Sequence, residues 1–488
     1  MVLFDLLPNT TRGPLAYAEI APSLNGNVLA VKPLVVLAIG QKRAGTVPAL
    51  TLTRVRSADE ASQFFGAGSQ LHDIATGFFK NNKSNDFWAM PINDAAGSAS
   101  EERTLTFSTA ATAAGTLYLY LSGSRIAVAV AAGESTTTTA TNVAAAIAAV
   151  PANPWVPTAA TNVVTLVAKN KGTLGAELDV RVNYNAGESL PVGLTVGQAV
   201  TVAGAGVVDY STLGLFGYFT EIQFDLIVAG ANDATNLAYI TTELLDRWGP
   251  TRMIEGCVIS GFQGDLAAAL AKGALVNSPF SAIMPANLSP TTPWRWAGAL
   301  AGVVAFHGGQ DPARPFHTLT LTGVLPPATV AVFSAQEREL LLRAGMATYR
   351  VSASGEVQIH RLITNSQTNA AGAKDATYLD LNTPLTLAFL RYDWRTTLLT
   401  KYPRHKLAND GTNFAAGQPI MTPERGRAEA VAWFGKMEQA GLVEDVEQFK
   451  TDLVVERNPS DPNRLDFLLP INLVNQLQVI GSRIEFTL

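Results

Sequence analysis

Between residues 222 and 306 short apolar runs alternate with helix-periodic stretches, and no other feature limits the possible folds of this chain as tightly. Residues 224–229 read as a strand, and residues 233–248 as a helix whose Leu237, Ile240, Leu244, Leu245 and Trp248 share one face. Residues 253–260 and 281–285 are two further strands, with a short helix over 265–272 between them. Pro293 suits a first helical position and Thr292 an N-cap, so a helix is expected over 293–306. Strands and helices in this order predict a parallel sheet with crossover helices.

Parallel sheets of this kind place ligands beyond the C-terminal ends of their strands, and the residues that chemistry would need there are missing. The five histidines (His72, His307, His317, His360 and His405) form no HExxH pair and have no CxxC companion. A nucleophile elbow at Ser260 would need glycine two residues earlier, where Val258 stands. His307, followed by Gly308 and Gly309, reads as a loop or packing histidine. Gly204 and Gly206 are followed by neither a Lys-Ser/Thr pair nor a helix, which argues against a phosphate loop. No catalytic residue, cofactor or metal is assigned; an enzyme acting through the parallel-sheet domain is the weaker alternative.

Taken in order, residues 1–26 are broken by Pro8, Pro14 and Pro22 and read as an extended arm. The backbone of Ala16, Tyr17, Ala18, Glu19 and Ile20 needs hydrogen-bond partners, which the edge of a sheet would supply. Residues 27–95 read as the first part of the core, with strands at 34–39 and 87–92 and helices opened by Ser57 and Ser69. Over residues 96–207 the composition shifts to Ala, Thr, Gly and Val. Strands at 105–108, 116–122, 125–130, 163–168 and 178–184, with one helix at 141–150, predict an antiparallel β domain inserted into the larger body. Residues 208–333 form the parallel α/β domain, residues 334–476 an α+β C-terminal domain, and residues 477–488 a second arm containing Val479, Ile480, Ile484, Glu485 and Phe486.

Within the C-terminal region Ser334 and Glu337 make a capping box for a helix ending at Gly345, and a hairpin joins 347–352 to 356–363. A long helix is expected over 382–406, with Asn382 or Thr383 as N-cap and Pro403 as the stop. Its buried stripe is Leu387, Leu390, Trp394 and Leu398, leaving Arg391, Arg395 and Lys401 off that face. Thr422 opens another helix, and residues 449–457 are expected to pair as a strand with 465–470.

Composition sharpens the functional question. Charged residues make up 15% of the 488, against about 25% in an ordinary soluble domain, so much of the surface is expected to be covered by something. With 35 basic and 40 acidic side chains the net charge is −5, which provides no global field for nucleic acid or anionic lipid. The single cysteine, Cys257, cannot form an internal disulfide and suits assembly in a reducing cytoplasm. The opening MVLFDLLPNT lacks the positive region of a secretion signal, and the apolar run 296–306 is too short to span a bilayer.

Three stretches, LLRAGMATYRVSASGEVQIHRLIT, PLTLAFLRYDWRTTLLTKYPRHKL and PERGRAEAVAWFGKMEQAGLVED, followed by a closing extended strand, resemble the C-terminal domain of contractile tail sheath proteins of the Mu-like phage group. The segment from FDLIVAG to SAIMPAN resembles that family's central, subtilisin-like domain, and TLYLYLSGSRIAVAV the insertion of Mu-like members. The resemblance implies a multidomain α/β and α+β fold. It does not carry over proteolysis, because no Ser-His-Asp set can be placed. It implies a structural subunit that assembles as sixfold rings stacked helically around an inner tail tube. Contraction would drive the tube through the host envelope for genome ejection.

The implied partners are sister subunits, the tube, and baseplate and tail terminator proteins, with no nucleic acid, membrane insertion or cofactor. The implied location is the virion tail, after assembly in the host bacterial cytoplasm. A bacteriocin-like particle is the alternative within the family. The densest basic cluster, Arg391, Arg395, Lys401, Arg404 and Lys406, is the candidate tube-facing surface, with Arg425, Arg427 and Lys436 as its rival.

Overall fold

Six buried residues in a row place β1 (Val36–Gln41) in the middle of a sheet that has no solvent-facing side. The computed structural model describes residues 32–415 and 417–487. They form two compact units, Lys32–Thr396 together with the chain from Asn475 onward, and Thr397–Val474. In the larger unit β1 is followed by β2 (Thr53–Val55), α1 (Ala58–Phe65), α2 (Gln70–Asn81) and β3 (Phe87–Ile92). Ser57 and Ser69 open the two helices, their hydroxyls accepting the backbone N–H of Glu60 and His72.

The chain then leaves the central sheet for two small antiparallel ones. β4 (Glu102–Thr109), β5 (Gly115–Leu121), β6 (Ser124–Val130), α3 (Thr136–Ala148), β7 (Trp155–Ala160), β8 (Val163–Ala168), β9 (Val180–Val182) and β10 (Thr195–Val202) follow in order. The strand orders are β10-β4-β8-β7 and β6-β5-β9, and every pair is antiparallel. Ala140, Val143 and Ile147 of α3 are buried where it packs on strands of both sheets. This helix starts five residues earlier than its apolar pattern suggests, because the Ser135 hydroxyl accepts the Thr138 N–H and holds a threonine run of modest helix propensity. β7 and β10 escape sequence reading. Pro157 interrupts the first, and the second buries no residue at all, so neither alternates.

Re-entering the central sheet, the chain adds β11 (Leu226–Ala229), α4 (Ala234–Arg247), β12 (Cys257–Gln263), α5 (Leu266–Gly273), β13 (Ser281–Ala286) and α6 (Pro293–Gln310). The order is β13-β12-β11-β1-β3-β2, with every neighbour parallel except β2. The alternation of residues 222–306 therefore builds one side of a parallel sheet whose other side comes from before the two small sheets. Asp233, Asp265 and Thr292 cap the three helices.

Two details differ from expectation. Leu245 is 62% exposed, since Leu237, Ile240 and Leu244 already fill the inward stripe and the next residue lies about 100° round the helix. His307 is a helical residue, because α6 runs on through Gly308 and Gly309 to Gln310. α6 also crosses α2 at very short range: a Cβ on Gly298 would lie 2.3 Å from the carbonyl oxygen of Ile74.

The capping box of α7 (Ala335–Arg343) forms between Ser334 and Glu337, and Gly345 ends the turn at φ 73°. β14 (Thr348–Val351) and β15 (Val357–Arg361) make the expected hairpin, and Ala347 donates its N–H to Ile283 of β13. α8 (Asn382–Lys401) follows. The smaller unit contains β16 (Lys406–Leu407), β17 (Ile420–Met421), α9 (Pro423–Gln439), α10 (Val446–Asp452), β18 (Val454–Arg457) and β19 (Leu465–Leu468). Residues 449–452, expected as strand, are helical: Asp445 caps α10 on the Gln448 N–H, and the Phe449 ring stacks on Phe434 of α9 at 4.1 Å. Strand begins only at Val454 and pairs with β19.

Candidate functional site

Among the described residues, several large apolar side chains near the C-terminus are uncovered. Residues from Asn475 to Phe486 form neither helix nor paired strand among the described residues, and Val479, Ile480, Ile484 and Phe486 are all more than three-quarters exposed. Glu485 pairs with Arg483 within the same stretch. The alternate residues Leu477 and Val479, then Ile484 and Phe486, have the period of a strand with one apolar face. Ala16, Tyr17, Ala18, Glu19 and Ile20 of the other candidate arm lie outside the described residues. In the smaller unit β18 and β19 form a two-stranded sheet. Hairpins of two strands are marginal by themselves, and this one has outer edges to which a further strand can add.

The basic cluster lies on α8 and the chain just beyond it. Asn382 does not cap the helix; its side-chain amide donates to the carbonyls of Pro312 (2.7 Å) and Arg314 (2.8 Å). The buried positions are Asn382, Pro384, Leu385, Thr386, Phe389, Leu390 and Asp393, whereas Leu387, Trp394 and Leu398 are only half-buried. The row at 385 and 389 faces a small cavity lined by Leu34, Trp248 and Cys257, which sets the orientation of the helix. It ends at Lys401, two residues before Pro403.

That orientation decides what each basic group does. Arg391 sits 2.9 Å from the buried Glu255 carboxylate, donates to the Trp248 carbonyl at 2.8 Å, and lies 5.0 Å over the Trp248 ring. Arg395 reaches the Met253 carbonyl at 3.4 Å. Both therefore tie α8 to the chain between α4 and β12. Lys401 pairs with Glu429 of α9, which also accepts the Tyr402 hydroxyl at 2.6 Å. Burial would raise the Glu429 carboxyl, but these two donors hold it below its ordinary range; burial and that same bond push the Tyr402 hydroxyl up to about 12. Arg404 is exposed and has no ion-pair partner among the described residues, and the Lys406 ammonium donates to the Gln418 side chain at 3.2 Å. The rivals Arg425 and Arg427 bind the carbonyls of Ile420 and Leu453. The acidic partners Glu255 and Glu429 lie far from the cluster in sequence and carry no local signal.

At the C-terminal ends of β1, β3 and β11 there is a cleft of ≈ 230 Å³ lined by Gln41, Ile92, Glu177, Tyr210, Asn232 and Asp233. Burial pushes the Glu177 carboxyl up to about 7, with the Lys272 ammonium opposing the rise. Lys272 itself donates to the Asn232 carbonyl, and Asp233 is engaged as the cap of α4. Nothing in the sequence marks Glu177, a half-buried residue that lines the cleft together with Val207 and Val208 of the returning chain. Burial, with Asp225 nearby, raises the Cys257 thiol and keeps it protonated; burial and Arg314 lower the His307 imidazole. Among the described residues no three His, Cys, Asp or Glu side chains could together hold a metal, and no helix is long and apolar enough to cross a membrane.

Comparison with known proteins supplies the class of this chain. The phage tail sheath protein central domain matches residues 203–365 and the phage tail sheath C-terminal domain residues 373–487. The chain belongs to the phage tail sheath family. The Mu-like prophage FluMu tail sheath protein of Haemophilus influenzae is 35% identical over 490 residues, covering 100% of both chains. In fold the chain resembles a sheath tail protein from Desulfitobacterium hafniense (TM-score 0.50, 12% identity, 98% of this chain and 100% of that one). It also resembles the anti-feeding prophage helical sheath in its contracted state (TM-score 0.50, 11% identity, 98% of this chain and 99% of that one).

Proposed function

We propose that copies of this sheath subunit polymerise as sixfold rings stacked helically around an inner tail tube, and that contraction of this lattice drives the tube through the host envelope for genome ejection. The observation that carries the reading is the uncovered C-terminal stretch, with apolar residues at strand period, in a chain whose smaller unit holds a two-stranded sheet. Adding that stretch to the hairpin of a neighbouring copy would satisfy both. The anti-feeding prophage relative, a helical sheath in a contracted state, supports the same arrangement. Energy for contraction is stored at assembly in the packing of the extended lattice, so no cofactor enters. Baseplate and terminator proteins are the further partners, the virion tail is the location, and assembly takes place in the host cytoplasm. The central sheet belongs to the subtilisin-like topology by this reading, in a structural role without catalysis.

The tube contact follows from the charges left over. Arg391 and Arg395 are engaged inside the larger unit and Lys401 inside the smaller one, so Arg404 and Lys406 carry the attraction for an acidic tube. Such a contact is weak per copy and screened beyond roughly 8–10 Å, and repetition along the lattice multiplies it. Exchanging Arg404 and Lys406 for Glu is expected to leave cylinders forming but to abolish their assembly around tube; co-sedimentation with tube measures this, and unchanged association removes both residues from the contact.

Electron microscopy tests the main reading. Purified full-length chain is expected to form wide hollow cylinders, and a chain ending at Gln476 to stay folded but discrete. A full-length protein that remains discrete at high concentration, or normal cylinders from the shortened chain, would overturn it.

A further inference from the structure

We infer that the outer edge of β10 docks a second copy of this chain by antiparallel pairing with that copy's β7. The inference rests on the polymerisation proposed above and adds a contact between the β domains of neighbouring copies. β10 pairs with β4 from Thr195↔Thr109 to Val202↔Glu102 and ends its sheet. Among the described residues nothing pairs with its other side, so half the backbone N–H and C=O groups of an eight-residue strand face outward.

Isolated proteins blunt such an edge with charges, proline or a bulge. The β10 sequence TVGQAVTV has no charge and no proline, and Val200 is 56% exposed. Its pairing irregularities lie near its ends, between Thr195 and Val196 and between Val200 and Val202, leaving a regular stretch between them. An edge left in this condition is one that assembly covers.

The geometry also selects the occupant. In the order β10-β4-β8-β7 each step reverses direction, so the two edge strands run opposite to one another. Joining β10 of one copy to β7 of the next continues the antiparallel alternation and needs no two-fold axis. Such a head-to-tail contact can propagate through a helical array. β7, with the sequence WVPTAA, is as free of charge as β10. Pro157 lies within an unbroken register with β8, which turns its missing N–H outward and removes one donor from that edge. The join is therefore short and weak per copy, and depends on the lattice to hold the two edges together.

Full-length chain carrying Ala199→Lys or Thr158→Lys is expected to melt like wild type, because both positions are exposed, and to need about tenfold more protein to form cylinders. Mixing Ala199→Lys copies with Thr158→Glu copies, whose new charges lie on the same sheet face, should restore the wild-type threshold. Unchanged thresholds in both single variants, or a mixture that fails to recover, would overturn the inference while leaving polymerisation intact. A second readout needs no cylinders: cysteines placed in turn at Gly197, Ala199 and Thr201, which share a sheet face with Thr158, are expected to form disulfides with Thr158→Cys copies under mild oxidation, the native Cys257 being buried. Absence of any such cross-link would overturn the contact, and discrete wild-type particles would overturn the polymerisation reading alone.

Discussion

Replacing Asp73 by Ala is expected to cost the fold about 3–5 kcal/mol, the range found when one partner of a buried ion pair is removed. Asp73 lies on α2 at its crossing with α6 and accepts from Arg295 Nε at 2.7 Å, from a second guanidinium nitrogen, and from the Thr292 hydroxyl. Both charged side chains are close to nine-tenths buried. The helices cannot move apart to admit water without breaking the glycine-mediated approach at Gly298, where the backbone of α2 occupies the space of a side chain. Removing the carboxylate thus strands a guanidinium that has nowhere to go. A double variant, Asp73→Leu with Arg295→Met, removes both charges and is expected to recover most of the loss. Chemical denaturation of the three variants measures the effect. A single-variant loss below about 1 kcal/mol would mean the pair behaves like a surface bridge.

The sequence reveals what is decided locally. Asp233, Asp265, Thr292 and the Ser334–Glu337 box announce helix starts because each cap needs only residues three positions apart. The strands of the parallel sheet show as apolar runs because both faces are covered. β10 is invisible by the same logic, since a strand with no buried residue has no pattern. The buried face of α8 is not legible in the sequence because its N-terminal half is packed on more than one side, and the row through Leu385 and Phe389 competes with the one through Leu387 and Trp394. The basic cluster is readable as a cluster but not as a surface. Whether an arginine is free depends on a carboxylate such as Glu255, which the fold delivers from a remote part of the chain.

Glu177 supplies a pH-dependent result of the opposite sign from the usual carboxylate. Burial raises it from an ordinary 4.5 to about 7, so the folded chain holds a proton that the unfolded chain releases. Stability is then full below about pH 4.5, falls as pH rises toward 7, and stays low above that. The groups facing it are Lys272 of α5, which lowers the cost of ionisation, and Asp233 at the start of α4, which faces the same ammonium. Glu177→Gln removes the titration while keeping the shape. It is expected to match wild type at pH 5 and to be more stable by on the order of 2–3 kcal/mol at pH 8, with the upper end reduced by partial solvent access to the side chain. Lys272→Met should act in the other direction, deepening the loss at pH 8, because the opposing ammonium is gone. Unfolding in denaturant at the two pH values separates these cases. An equal gain for Glu177→Gln at pH 5 and pH 8 would show that the carboxyl does not titrate in this window, and the cleft at the strand ends would then be an ordinary hydrated seam.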